Sequence, residues 1–239
     1  MADDSSIPPG HEVLAAVLQI RAGELHVLLW QRALPPDAGR WALPGGRLRD
    51  DEDVETSVRR QLAAKVDLAD VAHVEQLAVF SAPDRVPGGR VLATAFLGLV
   101  QSDVNPHLPE DTAWHPLADL PTTAFDHDAI VARARDRLRA KLSYTNLGFA
   151  LAPAEFTISG LRELYTAALG HPISATNLQR VLTRRGLLVP TGRRVTPGPS
   201  GGRPGATFRF ADRNLHVTDA FAVLRPPHPS SGGRPPVVP

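Results

Sequence analysis

Gly45 and Gly46, followed by Glu52, Arg60, Gln61, Ala64 and Lys65, form the first cluster whose residue types and spacing could do chemistry. A glycine lets backbone approach a neighbour closely, and Glu52 with Arg60 can form a pair that braces a loop against a helix. The run Asp50, Asp51, Glu52, Asp53 and Glu55 has two readings. Carboxylate oxygens are the donors magnesium prefers, and acids also gather at helix starts because the macrodipole favours them there. The second cluster is Thr176, Asn177, Gln179, Arg180, Thr183 and Arg184, with Arg193, Arg194 and Arg203 further on. Amide side chains pair with adenine and arginine with guanine in the major groove, while arginines in a following loop meet phosphate or a minor groove. Other catalytic templates fail. There is no Walker loop, and the nine histidines show no HExxH spacing. His127 is read as a satisfied core or surface group. The absence of cysteine excludes disulfides, thiolate zinc sites and cysteine nucleophiles.

The elements that must position these residues follow from periodicity. Residues 11–20 and 24–32 read as two strands around the turn Arg21-Ala22-Gly23. Val54, Val58, Leu62 and Val66 recur every fourth residue and predict an amphipathic helix over 53–66. Strands are expected at 73–80 and 90–100 and a helix at 129–142. Beyond Tyr144 the grammar changes. A helix over 155–169 stops at Gly170, a second over 175–185 is capped by Ser174 and Gly186, and a short strand 187–189, a loop 190–205 and a strand 206–210 follow. Helix, helix, strand, basic loop, strand is the order of a winged helix-turn-helix. The first ten residues and the Pro/Gly/Ser-rich stretch 226–239 are expected to be disordered. The domains expected are therefore 11–143 and 144–225.

The net charge of +1 conceals an asymmetry: residues 1–150 carry net −6 and residues 151–239 net +7. No acidic residue falls between Leu164 and Ala211. A polyanion partner for the second half fits this pattern, as does a solvated basic surface. No apolar run reaches the ~20 residues a membrane helix needs, and the chain opens on a polar, acidic segment, so a cytoplasmic protein with no membrane partner is expected.

Gly46, five residues, Glu52, seven residues and then Arg60-Gln61-Leu62-Ala63-Ala64-Lys65-Val66-Asp67-Leu68, preceded by Arg32 and Trp41-Ala42-Leu43-Pro44-Gly45-Gly46, resembles the signature of the Nudix hydrolases. In that signature Arg-Glu-aliphatic-x-Glu-Glu-x-Gly-aliphatic occupies the second half of the box. The resemblance implies an α/β fold, an α/β/α sandwich with a mixed sheet. It also implies that three metal-binding glutamates are replaced by Gln61, Ala64 and Lys65, and the helix-ending glycine by Asp67. Binding without efficient hydrolysis, and with no metal required, is the expectation. Arg32, Trp41, Gly45, Gly46, Arg47, Glu52, Arg60 and Phe80 are the candidates for a nucleotide pocket, although Trp41 and Phe80 have an equal reading as core. The whole chain, through Gln76-Leu77, Phe80, Asp84-Arg85, Phe125-Asp126-His127, Tyr144-Thr145, Phe156-Thr157, Leu161, Tyr165, Asn177, Arg180 and Gly202-Arg203-Pro204, resembles the Nudix-related transcriptional regulators of NAD metabolism. That likeness implies a homodimer on a palindromic operator, repressing genes of NAD biosynthesis or salvage and released by ADP-ribose or a related nucleotide. Two other readings are an active ADP-ribose pyrophosphatase with an accessory nucleic-acid-binding domain, and a binding protein whose basic domain meets RNA or another protein.

Overall fold

The computed structural model describes residues 9–195 and 205–219. Strand β1 (Gly10–Arg21) is the spine. It is buried without interruption from Val13 to Ile20, as a strand covered on both faces must be. Val13, Ala15 and Val17 face one core with Val58, Leu62 and Val66, while Leu14, Ala16 and Leu18 face another with Ile130, Ala134 and Leu138. The alternation is the two-residue period of a strand sorting side chains between two helical layers. Those layers are α1 (Val54–Val66) and α2 (His127–Tyr144).

The sheet has seven strands, with β2 (Glu24–Gln31), β3 (Trp41–Ala42), β4 (Gly45–Arg47), β5 (His73–Phe80), β6 (Val91–Leu99) and β7 (Thr112–Pro116). Its main order is β3-β2-β1-β6-β5, with β4 on β1 and β7 on β2. β1 runs parallel to β6, and the other pairings are antiparallel. The β1–β2 hairpin closes through Ala22 and Gly23, both at positive φ (48° and 82°), which matches the twist of the flanking strands. α1 starts on Asp53, whose carboxylate accepts from the Thr56 N–H, and ends on Asp67 in the left-handed conformation at φ 51°. The glycine absent from that position is thus replaced by one of the few residues that tolerate it.

The second unit has β8 (Phe156–Thr157), α3 (Ile158–Leu169), α4 (Ala175–Arg184), β9 (Leu188–Val195) and β10 (Gly205–Phe210), with sheet order β8-β10-β9. Two expectations need correction. The first helix begins at Ile158 rather than 155, because Phe156 and Thr157 pair with β10 and the Thr157 hydroxyl caps the helix. The segment expected as a loop from 190 is strand as far as Val195, so Arg193 and Arg194 lie on β9. Pro190 is tolerated there because β9 is an edge strand. Gly10 is already part of β1. Residues 1–8 of the expected disordered start, the 226–239 tail and Arg203 lie outside the described residues.

The core on the α2 side runs on through Leu147, Phe149 and Leu151 to Phe156, Leu161, Tyr165, Leu178, Leu182 and Phe210. One contiguous apolar cluster therefore joins the large sheet to the second unit.

Candidate functional site

The Gly45–Lys65 region is built by close approach. Gly45 is buried beside β1, where an added Cβ would lie 2.2 Å from the Val13 carbonyl oxygen, and a Cβ on Gly46 would lie 2.7 Å from the Gln61 amide. Glu52 forms the expected brace. Arg60 Nε donates to Glu52 Oε2 at 2.7 Å, Arg60 Nη2 donates to Oε1, and the Arg49 N–H donates to Oε1 at 3.0 Å. The hydrogen bonds from Arg60, foremost, hold the Glu52 carboxyl down at about 2.

Gln61 is buried, with its amide nitrogen 3.3 Å from the Gly45 oxygen and its amide oxygen 3.3 Å from the Arg60 guanidinium. Lys65 Nζ donates to that same Gly45 oxygen and lies 4.6 Å from the centroid of the Trp30 ring. Burial, with Arg32 next, pushes the Lys65 pKa down. Gly46, Arg47, Leu48, Arg49, Asp50, Gln61 and Lys65 line an open cleft of about 500 Å³.

The remaining candidates sit elsewhere. Arg32 places its guanidinium 4.7 Å from the centroid of the Phe125 ring and donates to the Pro36 oxygen at 3.0 Å. Trp41 meets His115 edge to face at 4.2 Å, and both Trp41 and Phe80 pack against the α2-side core. Neither lines the Gly46–Lys65 cleft.

Sequence reasoning missed what holds the start of α2. Arg85, with its side chain 1% exposed, donates through Nη1 to Glu12 at 2.6 Å and through Nε and Nη2 to Asp126 at 3.0 and 2.7 Å. It ties β1, the β5–β6 loop and the front of α2 together. Around it, Asp37, Arg40, Asp84, Phe125 and Asp126 help to line a second cleft of about 470 Å³. His127 is a satisfied core histidine: its Nδ1 accepts from the Leu43 N–H at 3.0 Å, so the ring proton is on Nε2. Burial holds its pKa down at about 4.

The other end of α2 is fastened to the second unit. Arg139 donates to the Ala168 carbonyl at 3.3 Å, at the end of α3, and Arg185 to the Ser143 carbonyl at 3.0 Å. Asn146 donates to the Asn214 carbonyl at 2.8 Å and accepts from the His216 N–H at 2.9 Å. Along its length, Arg137 and Lys141 pair with Glu75 of β5.

On α4 the only buried residues are Leu178 and Leu182. Thr176, Asn177, Gln179, Arg180, Thr183 and Arg184 are all exposed, as the spacing predicts. Arg180 Nη2 donates to Asn177 Oδ1 at 2.8 Å. Arg193 and Arg194 are exposed on β9, with Arg193 3.2 Å from Glu155.

A sheet between two helices carrying a Gly45–Lys65 box, with a helix-helix-hairpin unit behind it, defines a Nudix-type domain joined to a winged helix. Family models agree: the NUDIX domain matches residues 10–134 and the NrtR DNA-binding winged helix domain residues 148–210. The chain belongs to the NrtR family of Nudix-domain regulators. It is 30% identical over 206 residues to the ADPR responsive transcriptional repressor NtrR of Acinetobacter baylyi, covering 82% of this chain and 80% of that protein. The structure of Shewanella oneidensis NrtR complexed with a 27mer DNA superposes with a TM-score of 0.72 at 31% identity, covering 83% of this chain and 92% of that one. The NUDIX domain of the same protein complexed with ADP ribose gives 0.50 at 30% identity, covering 58% of this chain and 94% of that one. Among the described residues no helix is long and apolar enough to cross a membrane.

Proposed function

We propose that this chain is a cytoplasmic transcriptional repressor of genes of NAD biosynthesis or salvage, which binds a palindromic operator as a homodimer and is released by ADP-ribose or a closely related nucleotide. The observation that carries the reading is the α4 surface. Six polar side chains, two of them arginines, stand exposed on one helix anchored only by Leu178 and Leu182. Such a helix can enter a major groove, and two of them on a symmetric dimer would meet half-sites about one helical turn apart. Asn177, Gln179 and Arg180 read base edges, while Arg193, Arg194 and Arg203 hold phosphate or a minor groove.

The Nudix domain serves as the effector site and does not hydrolyse its ligand. A divalent ion asks for carboxylate oxygens, and Gln61, Ala64 and Lys65 offer none. Arg32, Arg47 and the backbone around Gly45 and Gly46 meet the nucleotide. Its arrival acts on the loops that grip the front of α2, through Arg85, His127 and Asp126, and the rear of α2 carries the change to the winged helix. The ligand shifts the protein only as far as it binds the released state better than the DNA-bound state.

The test is fluorescence anisotropy of a labelled duplex from the protein's own upstream region at fixed salt, beside a scrambled duplex. Preference for the native duplex that ADP-ribose weakens is the expected result. Equal binding to both duplexes would overturn the DNA reading, and release of AMP from ADP-ribose with magnesium would overturn the non-catalytic one.

A further inference from the structure

The Nudix fold implies a divalent cation beside the box, and the residues present do not fit one. The Lys65 ammonium already holds the Gly45 carbonyl oxygen, and the Gln61 amide fills the space against Gly46. Among the described residues no three His, Cys, Asp or Glu side chains gather as a ligand set. Whatever neutralises an anion here must come from the protein.

We propose that Lys65 takes the place of the metal ion, forming with Arg47 and Arg49 a metal-free cradle for the diphosphate of the effector. The inference rests on the reading above that a nucleoside diphosphate is the ligand, and names the part of the ligand that this cleft takes. Three cations and one carboxylate, Asp50, line the 500 Å³ cleft. A diphosphate diester carries two negative charges and restores the balance. Lys65 is also held ready to donate. Its ammonium sits over the Trp30 ring, one of its three N–H bonds goes to Gly45, and two remain for phosphate oxygens.

Glu52 does not cancel this charge, because both of its oxygens are engaged by Arg60 and one also by the Arg49 N–H. Burial and then Arg32 push the Lys65 pKa down, Glu12 offsets part of that and Arg60 adds to it, and an arriving anion relieves the crowding by the two arginines. A built-in cation also changes what the protein responds to: effector binding becomes independent of the free magnesium concentration, which a metal-bridged diphosphate would not be.

Isothermal titration of the full-length protein with ADP-ribose, in EDTA and again in magnesium chloride, is the experiment. The wild type should bind equally in the two buffers, within about twofold. Lys65→Gln should lose at least tenfold in affinity for ADP-ribose and less than threefold for AMP, and Lys65→Arg should recover most of the loss. Circular dichroism and the melting temperature show whether each variant is folded, and the arginine variant keeps the test valid if the glutamine one is not. A wild type that binds ADP-ribose only with magnesium, or a folded Lys65→Gln that binds as well as the wild type, overturns the inference while leaving the effector reading intact. If ADP-ribose does not bind in either buffer, the effector reading fails. Inorganic pyrophosphate then probes the cradle directly: binding in EDTA that Lys65→Gln abolishes supports it, and no binding overturns it.

Discussion

Lowering the pH should unfasten α2 from the box through His127. The ring is buried, its Nδ1 accepts the Leu43 N–H, and burial lowers its pKa from 6.5 to about 4. Between those two values the unfolded chain binds a proton that the folded chain refuses, so stability falls as pH drops through that window and falls no further from this group below about 4. Two and a half units at ~1.36 kcal/mol each give a ceiling of about 3 kcal/mol. Urea denaturation followed by circular dichroism, at half-unit steps from pH 7.5 to 4, measures the slope. Repeating the series on His127→Asn, whose side-chain oxygen can still accept from Leu43, isolates the histidine. The variant should be less stable at pH 7.5 and should lose close to one proton of pH dependence between 6.5 and 4. An unchanged slope in the variant would refute the reasoning, because the titrating group would then lie elsewhere.

Arg85→Met should destabilise the fold by about 2–4 kcal/mol at neutral pH in denaturant melts, the lower figure reflecting the partial exposure of the two carboxylates it leaves behind. A loss under ~0.5 kcal/mol would show that this ion triad does not hold α2. Gly45→Ala should lower the melting temperature sharply or abolish soluble expression, since the added Cβ meets backbone at 2.2 Å rather than a side chain that can move aside; a neutral effect would show that β4 is free to shift. Arg180→Ala should cost about 1–3 kcal/mol of operator binding and relax the preference at one base pair, whereas Arg194→Ala should weaken all duplexes alike and lower the salt slope by about one. Anisotropy titrations over a salt series and a set of single-base operator variants separate the two arginines.

The elements with a strong period were legible in the sequence and the short ones were not. The four apolar positions of α1, and the exposed polar face of α4 with its Ser174 cap, emerge as expected. β3 and β4, of two and three residues, carry no period and sit in a stretch rich in glycine and proline. β7, five residues ending in proline, has no strand expected for it, yet its whole length pairs with β2. On β9, Pro190 and Gly192 concealed a strand whose edge position tolerates both.

At the site, spacing located the Glu52–Arg60 brace, since both residues belong to one box. It could not locate Arg85, whose partners stand 73 and 41 positions away and meet it only through the tertiary fold. Trp41 and Phe80 pack on the core, the reading that residue type alone left open.

The central claim is that effector and operator compete through two states of one molecule, and its most direct test measures the coupling from both sides. Titrate ADP-ribose calorimetrically into the free protein and into the protein saturated with operator duplex, and titrate operator with and without saturating ADP-ribose. Linkage requires the same factor in both directions, and the account predicts that factor to be at least about fivefold, with each ligand weakening the other. Equal ADP-ribose affinity for the free and DNA-bound protein would contradict it.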